Sequence, residues 1–217
     1  EPSVALSESQ YNAPHPNSSH SFGEPYGIHR KNLEFTAEQH FELKQFSEDH
    51  GIKYCSSVFD KVSAETIIKL APDFIKIPSP EFRNLELIES AKETTKPVYI
   101  SYGGGEEEEI FKYIKLAKLD NKDCIFHCIT NYPVAIGNQQ LGFIGKLKNH
   151  TEAQIGYSSH DEDWEICLLA ISHGANLIER HFCESKDDIG LDISTSSDPE
   201  EFKKLNAIVN NYHEIIG

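Results

Sequence analysis

The chain has 217 residues, 38% hydrophobic and 25% charged, the make-up of one large or two small globular domains. Lys and Arg number 20 against 35 Asp and Glu, a net charge of −15, so bulk charge argues against holding nucleic acid or an anionic membrane and leaves anions to a local pocket. No run approaches the roughly 18 apolar residues of a membrane helix, and Glu1-Pro2-Ser3 opens no signal peptide.

Residues 1–30 are rich in Pro, Ser, Asn and His and read as an irregular N-terminal arm or a long loop. Residues 31–217 read as one domain of alternating elements. Thr36 caps a helix carrying Phe41, Leu43 and Phe46 that stops at Gly51. Strands are expected at 54–59, 73–77, 97–101, 123–128, 154–157 and 176–179. Helices are expected at 63–70, 85–93, 106–119, 141–147, 164–173 and 199–215. The strands are short and apolar with little alternation, as parallel strands buried on both faces should be. Such alternation allows a doubly wound sheet or a (β/α)8 barrel. No GxGxxG follows the first strand, which removes the main support for the former. The expected fold is therefore α/β, a (β/α)8 TIM barrel of which about six βα units are visible. There is no Met in the chain, and two further βα units before residue 1 are expected to complete the barrel. Cys55, Cys124, Cys128, Cys167 and Cys183 are odd in number and form no CxxC pair, which reads as free thiols in a reducing, cytoplasmic setting.

In such a barrel the chemistry sits at the C-terminal ends of the strands. The residues there form a series: Ser56 and Ser57; Lys76 and Ser79; Ser101 and Gly103-Gly104-Gly105; His127, Thr130, Asn131 and Tyr132; Ser158, Ser159 and His160; Glu179, Arg180 and His181. Lys76 inside an apolar strand is either a paired core lysine or a binding residue, and the cost of an unpaired buried ammonium favours the binding role. The glycine run is either a phosphate cradle or a flexible turn, and Glu106–Glu109 is a solvated helix start. His160 and His181 end successive strands and can share one divalent metal, of the Mn, Fe, Co or Zn kind. His127 and His173 read as structural, and His15, His20, His29, His40, His50, His150 and His213 as surface or loop residues. Asp192, eleven residues past His181, is either a turn residue or a carboxylate that reaches the site.

Five blocks then occur in order: Phe74-Ile75-Lys76-Ile77-Pro78-Ser79, Lys96 to Gly103, His127 to Pro133, Ile155 to His160, and Ile178 to Phe182. From about Tyr26 to Phe202 the chain resembles the sialic acid synthase (N-acetylneuraminate synthase) family, which includes the legionaminic and pseudaminic acid synthases. The resemblance implies a transferase that condenses phosphoenolpyruvate with an N-acetylated, N-acetylmannosamine-like hexosamine, giving a nine-carbon 2-keto sugar acid and phosphate, with Mn2+ as the typical metal. It implies His160 and His181 as metal ligands. It places Ser57, Lys76, Ser79, Ser101, Thr130, Tyr132 and Ser158 around phosphoenolpyruvate, and Glu179, Asp192 and Tyr132 beside the sugar or the attacking water. It also implies a homodimer as one arrangement. Ser57 stands where the family usually has Thr, Tyr102-Gly103-Gly104-Gly105 replaces Thr-Gly-Met, and Ile189-Gly190-Leu191-Asp192 keeps only the Gly and Asp of Pro-Gly-Pro-Asp. A Glu and a Lys on the first two barrel strands, and a C-terminal antifreeze-like domain carrying an Arg, have no counterpart between residues 1 and 217. The alternative is a divergent, non-catalytic barrel module that binds a metal or an anion. A barrel metal-hydrolase is a third reading, without an HxH pair on a first strand to support it.

Overall fold

The computed structural model describes residues 6–16, 18 and 21–216. They fall into two compact units, Glu1–Tyr99 and Ile100–Gly217. Among the described residues no helix is long and apolar enough to cross a membrane.

The first unit opens with helices α1 (Glu8–Tyr11) and α2 (Tyr26–Asn32), where the sequence reads as irregular. His15 and His29, expected as surface or loop residues, are not at the surface, although His15 does lie in a loop while His29 is on α2. Both are buried, with rings 4.3 Å apart, and the His29 Nδ1 accepts the Phe22 backbone N–H at 3.0 Å. A cluster of short-range aromatic and hydrogen-bond contacts builds this segment, and such contacts have no period to read. His20 and the side chain of His213 lie outside the described residues. Helix α3 (Ala37–Asp49) starts as expected at Thr36, which accepts from the Gln39 N–H while Gln39 caps back. Helix α4 (Lys61–Lys69) is capped by Asp60, strand β1 is Ile75–Ile77, and helix α5 (Leu85–Lys92) follows. The strand expected at 54–59 reduces to one parallel bridge, Ser57 to Lys76. Its start is diverted because the Tyr54 N–H donates to the Asp73 carboxylate at 2.8 Å. Strand β2 (Val98–Tyr102) runs from this unit into the next, and Ile75 N–H reaches the Pro97 carbonyl at 3.0 Å.

The second unit carries helix α6 (Glu107–Ala117), β3 (Cys124–Cys128), α7 (Gly142–Leu147), β4 (Gln154–Ser159), α8 (Ile166–Ser172), β5 (Leu177–Phe182), β6 (Ser196–Ser197), α9 (Pro199–Asn210) and α10 (Tyr212–Ile216). The pairs β3–β4, β4–β5 and β5–β6 are all parallel. From the end of β2 to β6 each strand lies beside its chain neighbour. That order never reverses, which separates a barrel from a doubly wound sheet. All five residues of β3 are buried, so it is covered on both faces. Strand β6 has no counterpart among the expected strands: two serines carry no apolar signal, and pairing with His181 and Phe182 alone makes them a strand. The closing helix breaks at Asn211 instead of running on to 215. Asp198 caps α9 with a full capping box and Pro199 at the first position. Asp198→Ala is expected to cost about 1 kcal/mol, read from a urea midpoint.

Candidate active site

The second unit brings six of the expected residues together at the ends of β3, β4 and β5. Alternation sends Ser158 and His160 to one face of β4 and Glu179 and His181 to the same face of β5. Ser158 pairs in register with Glu179, and its hydroxyl donates to Glu179 Oε1 at 3.3 Å. The rings of His160 and His181 lie 5.4 Å apart, edge to face. Tyr132, in the loop after β3, sits over His160 at 4.0 Å and edge-on to His181 at 5.8 Å. Asp192 Oδ2 is 3.9 Å from His181 Nδ1.

His160 is buried, and its Nδ1 stands 2.8 Å from the Ile129 carbonyl. A carbonyl only accepts, so Nδ1 carries the proton and Nε2 keeps its lone pair. Burial, followed by the neighbouring His181, lowers the His160 pKa and keeps the ring in the neutral form that ligates metals. Burial first, then Cys128, Asp192 and Glu179, push the Tyr132 phenol up to about 12, so it stays a neutral donor. Among the described residues no three His, Cys, Asp or Glu side chains form a complete metal site. Two imidazoles with one free Nε2 fit a divalent ion that takes the rest of its shell from water and substrate, and they are too few for a closed structural site.

Ser101 is buried on β2, and Thr130 is exposed after β3. Gly103 passes so close to β3 that a Cβ there would stand 2.5 Å from the Cys128 carbonyl, and Gly104 has φ +72°. The glycine run thus answers to a close backbone approach and a left-handed turn beside Thr130. The first unit holds the remaining three residues. Lys76 is buried on β1, with Nζ 3.5 Å from the Ile77 carbonyl. Ser79 is buried at the start of a 3-10 turn, Ser79–Glu81. Exposed Ser57 lines a cavity of about 780 Å3 with Tyr11, Arg30 and His40.

His127 is structural, as expected: it is buried and its Nε2 donates to the Gln139 carbonyl at 2.7 Å. Burial lowers its pKa from 6.5, outweighing the raising effects of that bond and of Asp161. The folded protein keeps this ring neutral, whereas the unfolded chain takes up a proton below about pH 6.5. Its contribution is therefore level above that pH and is lost as pH falls below it. The urea midpoint should drop between about pH 7.5 and pH 5.5, and less steeply in His127→Gln; equal slopes would contradict this.

Ser159, Asp161 and Arg180 form a network on the opposite face; strand-end polarity includes Ser159 and Arg180 in its series but neither adds Asp161 nor separates the two faces. Its signal lies in the same alternation, taken at the odd positions of β4.

A model of the NeuB family matches residues 3–217. The human N-acetylneuraminate-9-phosphate synthase is 30% identical over 190 residues, covering 87% of this chain and 53% of that protein. The N,N'-diacetyllegionaminic acid synthase of Legionella pneumophila is 30% identical over 193 residues, covering 86% of this chain and 54% of that one. The crystal structure of the N-acetylneuraminic acid synthetase of Leptospira borgpetersenii superposes with a TM-score of 0.82 at 29% identity, over 90% of this chain and 70% of that chain. The chain spans about half the length of the curated relatives it matches. With parallel strands in unreversed order and a family match along nearly its whole length, the chain is part of a TIM barrel and belongs to the NeuB family, the family of the sialic acid synthases.

Proposed function

We propose that this chain carries the reaction face of a sialic-acid-type synthase. It joins phosphoenolpyruvate to an N-acetylated, N-acetylmannosamine-like hexosamine and releases phosphate, leaving a nine-carbon 2-keto sugar acid. The observation that carries this reading is the cluster of Tyr132, Ser158, His160, Glu179, His181 and Asp192 at adjacent parallel strand ends, in a chain matched by the NeuB family model. The names of the relatives supply the product class.

Phosphoenolpyruvate is a compact, highly charged anion. Lys76 offers it an ammonium, and Ser57, Ser79, Ser101, Thr130, Tyr132 and Ser158 offer hydroxyl donors. His160 and His181 would hold a divalent cation, Mn2+ in this reading, which when bound polarises the sugar aldehyde as a Lewis acid. Carbon 3 of phosphoenolpyruvate adds to the aldehyde carbon through the electrons of its C=C bond, forming the new C–C bond and leaving carbon 2 electron-poor, and the aldehyde oxygen becomes a hydroxyl by taking the proton that the attacking water gives up through Glu179. Water adds at carbon 2, and Glu179, oriented by Ser158, takes its proton. The carbon 2 hydroxyl then gives its proton to the departing phosphate, and carbon 2 becomes the ketone as its C–O bond to phosphate breaks. Asp192, beside His181, accepts from a sugar hydroxyl. Four of the five cysteines are buried, which supports a reducing, cytoplasmic setting.

The test is phosphate release by the full natural protein from phosphoenolpyruvate, Mn2+ and a panel of N-acetylated hexosamines. Release that needs the sugar and vanishes with EDTA supports the synthase. Metal or phosphoenolpyruvate binding without release with any sugar would favour the non-catalytic module instead.

A further inference from the structure

The ends of β4 and β5 have a second face. Ser158, His160, Glu179 and His181 occupy one side, and Ser159, Asp161 and Arg180 the other, with Ser159 opposite Arg180 in register. Each site residue on these strands thus has a covalent neighbour in the second group. His160 stands between Ser159 and Asp161, and Arg180 stands between Glu179 and His181.

The second group is a hydrogen-bonded clamp. Arg180 Nη1 donates to Ser159 Oγ at 2.9 Å and to the Asp161 carbonyl at 3.0 Å. Nη2 donates to the Glu162 carbonyl at 3.1 Å, and Nε donates to Ser197 Oγ. One guanidinium therefore ties β5 to the end of β4, to the backbone just past His160 and to β6. Ser159 Oγ passes the contact on to Asp161 Oδ2 at 2.9 Å, which also accepts from the Tyr157 hydroxyl at 2.6 Å. Ser159 and Asp161 are each 1% exposed. Parallel strands pair through their backbones and need no such group. A buried carboxylate is costly, and Asp161 Oδ1 has no hydrogen-bond partner among the described residues, so the arrangement is not one that maximises stability.

We infer that Arg180, acting through Ser159 and the backbone of Asp161 and Glu162, is a positioning residue that sets the spacing of the His160 and His181 imidazoles for a divalent cation. The inference rests on the metal reading proposed above. A two-histidine site has no third protein ligand to correct an error in that spacing, so its affinity depends on the supporting groups. The planar fork of Arg reaches its acceptors in several directions at once, which the point charge of Lys cannot do.

The experiment is a titration of the full natural protein with Mn2+, followed by the loss of the free-ion EPR signal, with a thermal midpoint for every variant. Arg180→Lys and Ser159→Ala are each expected to bind Mn2+ about tenfold more weakly than wild type. Asp198→Ala, which loses only the α9 cap, is expected to bind like wild type and so separates positioning from general destabilisation. If Arg180→Lys does not fold, Ser159→Ala, which deletes a single hydroxyl, decides the matter. Affinities within about twofold of wild type, or an equal loss in Asp198→Ala, would overturn the inference. His160→Ala is the separate control: if it binds Mn2+ like wild type, the metal reading itself fails and this inference falls with it.

Discussion

Replacing His160 with alanine is expected to lower sugar-dependent phosphate release by about a thousandfold or more, equivalent to roughly 4 kcal/mol of transition-state stabilisation. The residue combines three features. Its Nδ1 is spent on the Ile129 carbonyl, which leaves Nε2 as the nitrogen able to ligate the proposed cation. Its ring faces His181 at 5.4 Å and lies under Tyr132 at 4.0 Å. Burial keeps it neutral, so no proton competes for the ring. Alanine removes half of the proposed protein ligation, and the aldehyde then loses its Lewis acid. The measurement is kcat/KM with saturating Mn2+, beside a Mn2+ titration and a circular dichroism spectrum that checks the fold. His181→Ala should behave likewise. A folded His160→Ala variant within about tenfold of wild type would place the chemistry elsewhere.

The largest effect on stability is expected at Gly156. This residue sits in the middle of β4, paired with Phe126 on β3 and Leu177 on β5. A Cβ there would stand 2.5 Å from the Phe126 ring and 3.1 Å from the Leu177 carbonyl. The ring is 3% exposed and has nowhere to retreat, and the carbonyl belongs to a strand. Gly156→Val is therefore expected to destabilise by about 3 kcal/mol or more, although valine is the better strand former. For a chain of this size that is a fall of roughly 6–12 °C in Tm. An unchanged midpoint would mean that β3 and β5 yield more readily than close-packed strands should.

The strand-end residues were legible because short apolar runs and the βα order are written in the sequence. The apolar runs around Ile125, Ile155 and Ile178 predicted β3, β4 and β5, and the polar residue closing each run is where the site residues stand. The geometry then links His160 to His181 and Ser158 to Glu179, pairs that the chain separates by about twenty residues each. Three things were not legible. Strand β6 is two serines, and only its partner makes it a strand. The buried His15–His29 contact depends on a fold of the chain without periodicity. The clamp at Arg180 was hidden because Ser159 and Arg180 stand in one strand-end series with the site residues until β4 and β5 are placed in register and the two faces separate. Family resemblance pointed to the residues proposed to meet substrate, and the clamp occupies the opposite face of the same strands.

The most direct test of the proposed chemistry is to follow the bridging oxygen of phosphoenolpyruvate, labelled with the heavy isotope, through one round of sugar-dependent turnover. Attack of water at carbon 2 followed by C–O cleavage sends the label into inorganic phosphate and leaves the sugar acid unlabelled. Label retained in the sugar acid would mean that the P–O bond breaks, and would contradict the roles proposed for Glu179 and for the site as a whole.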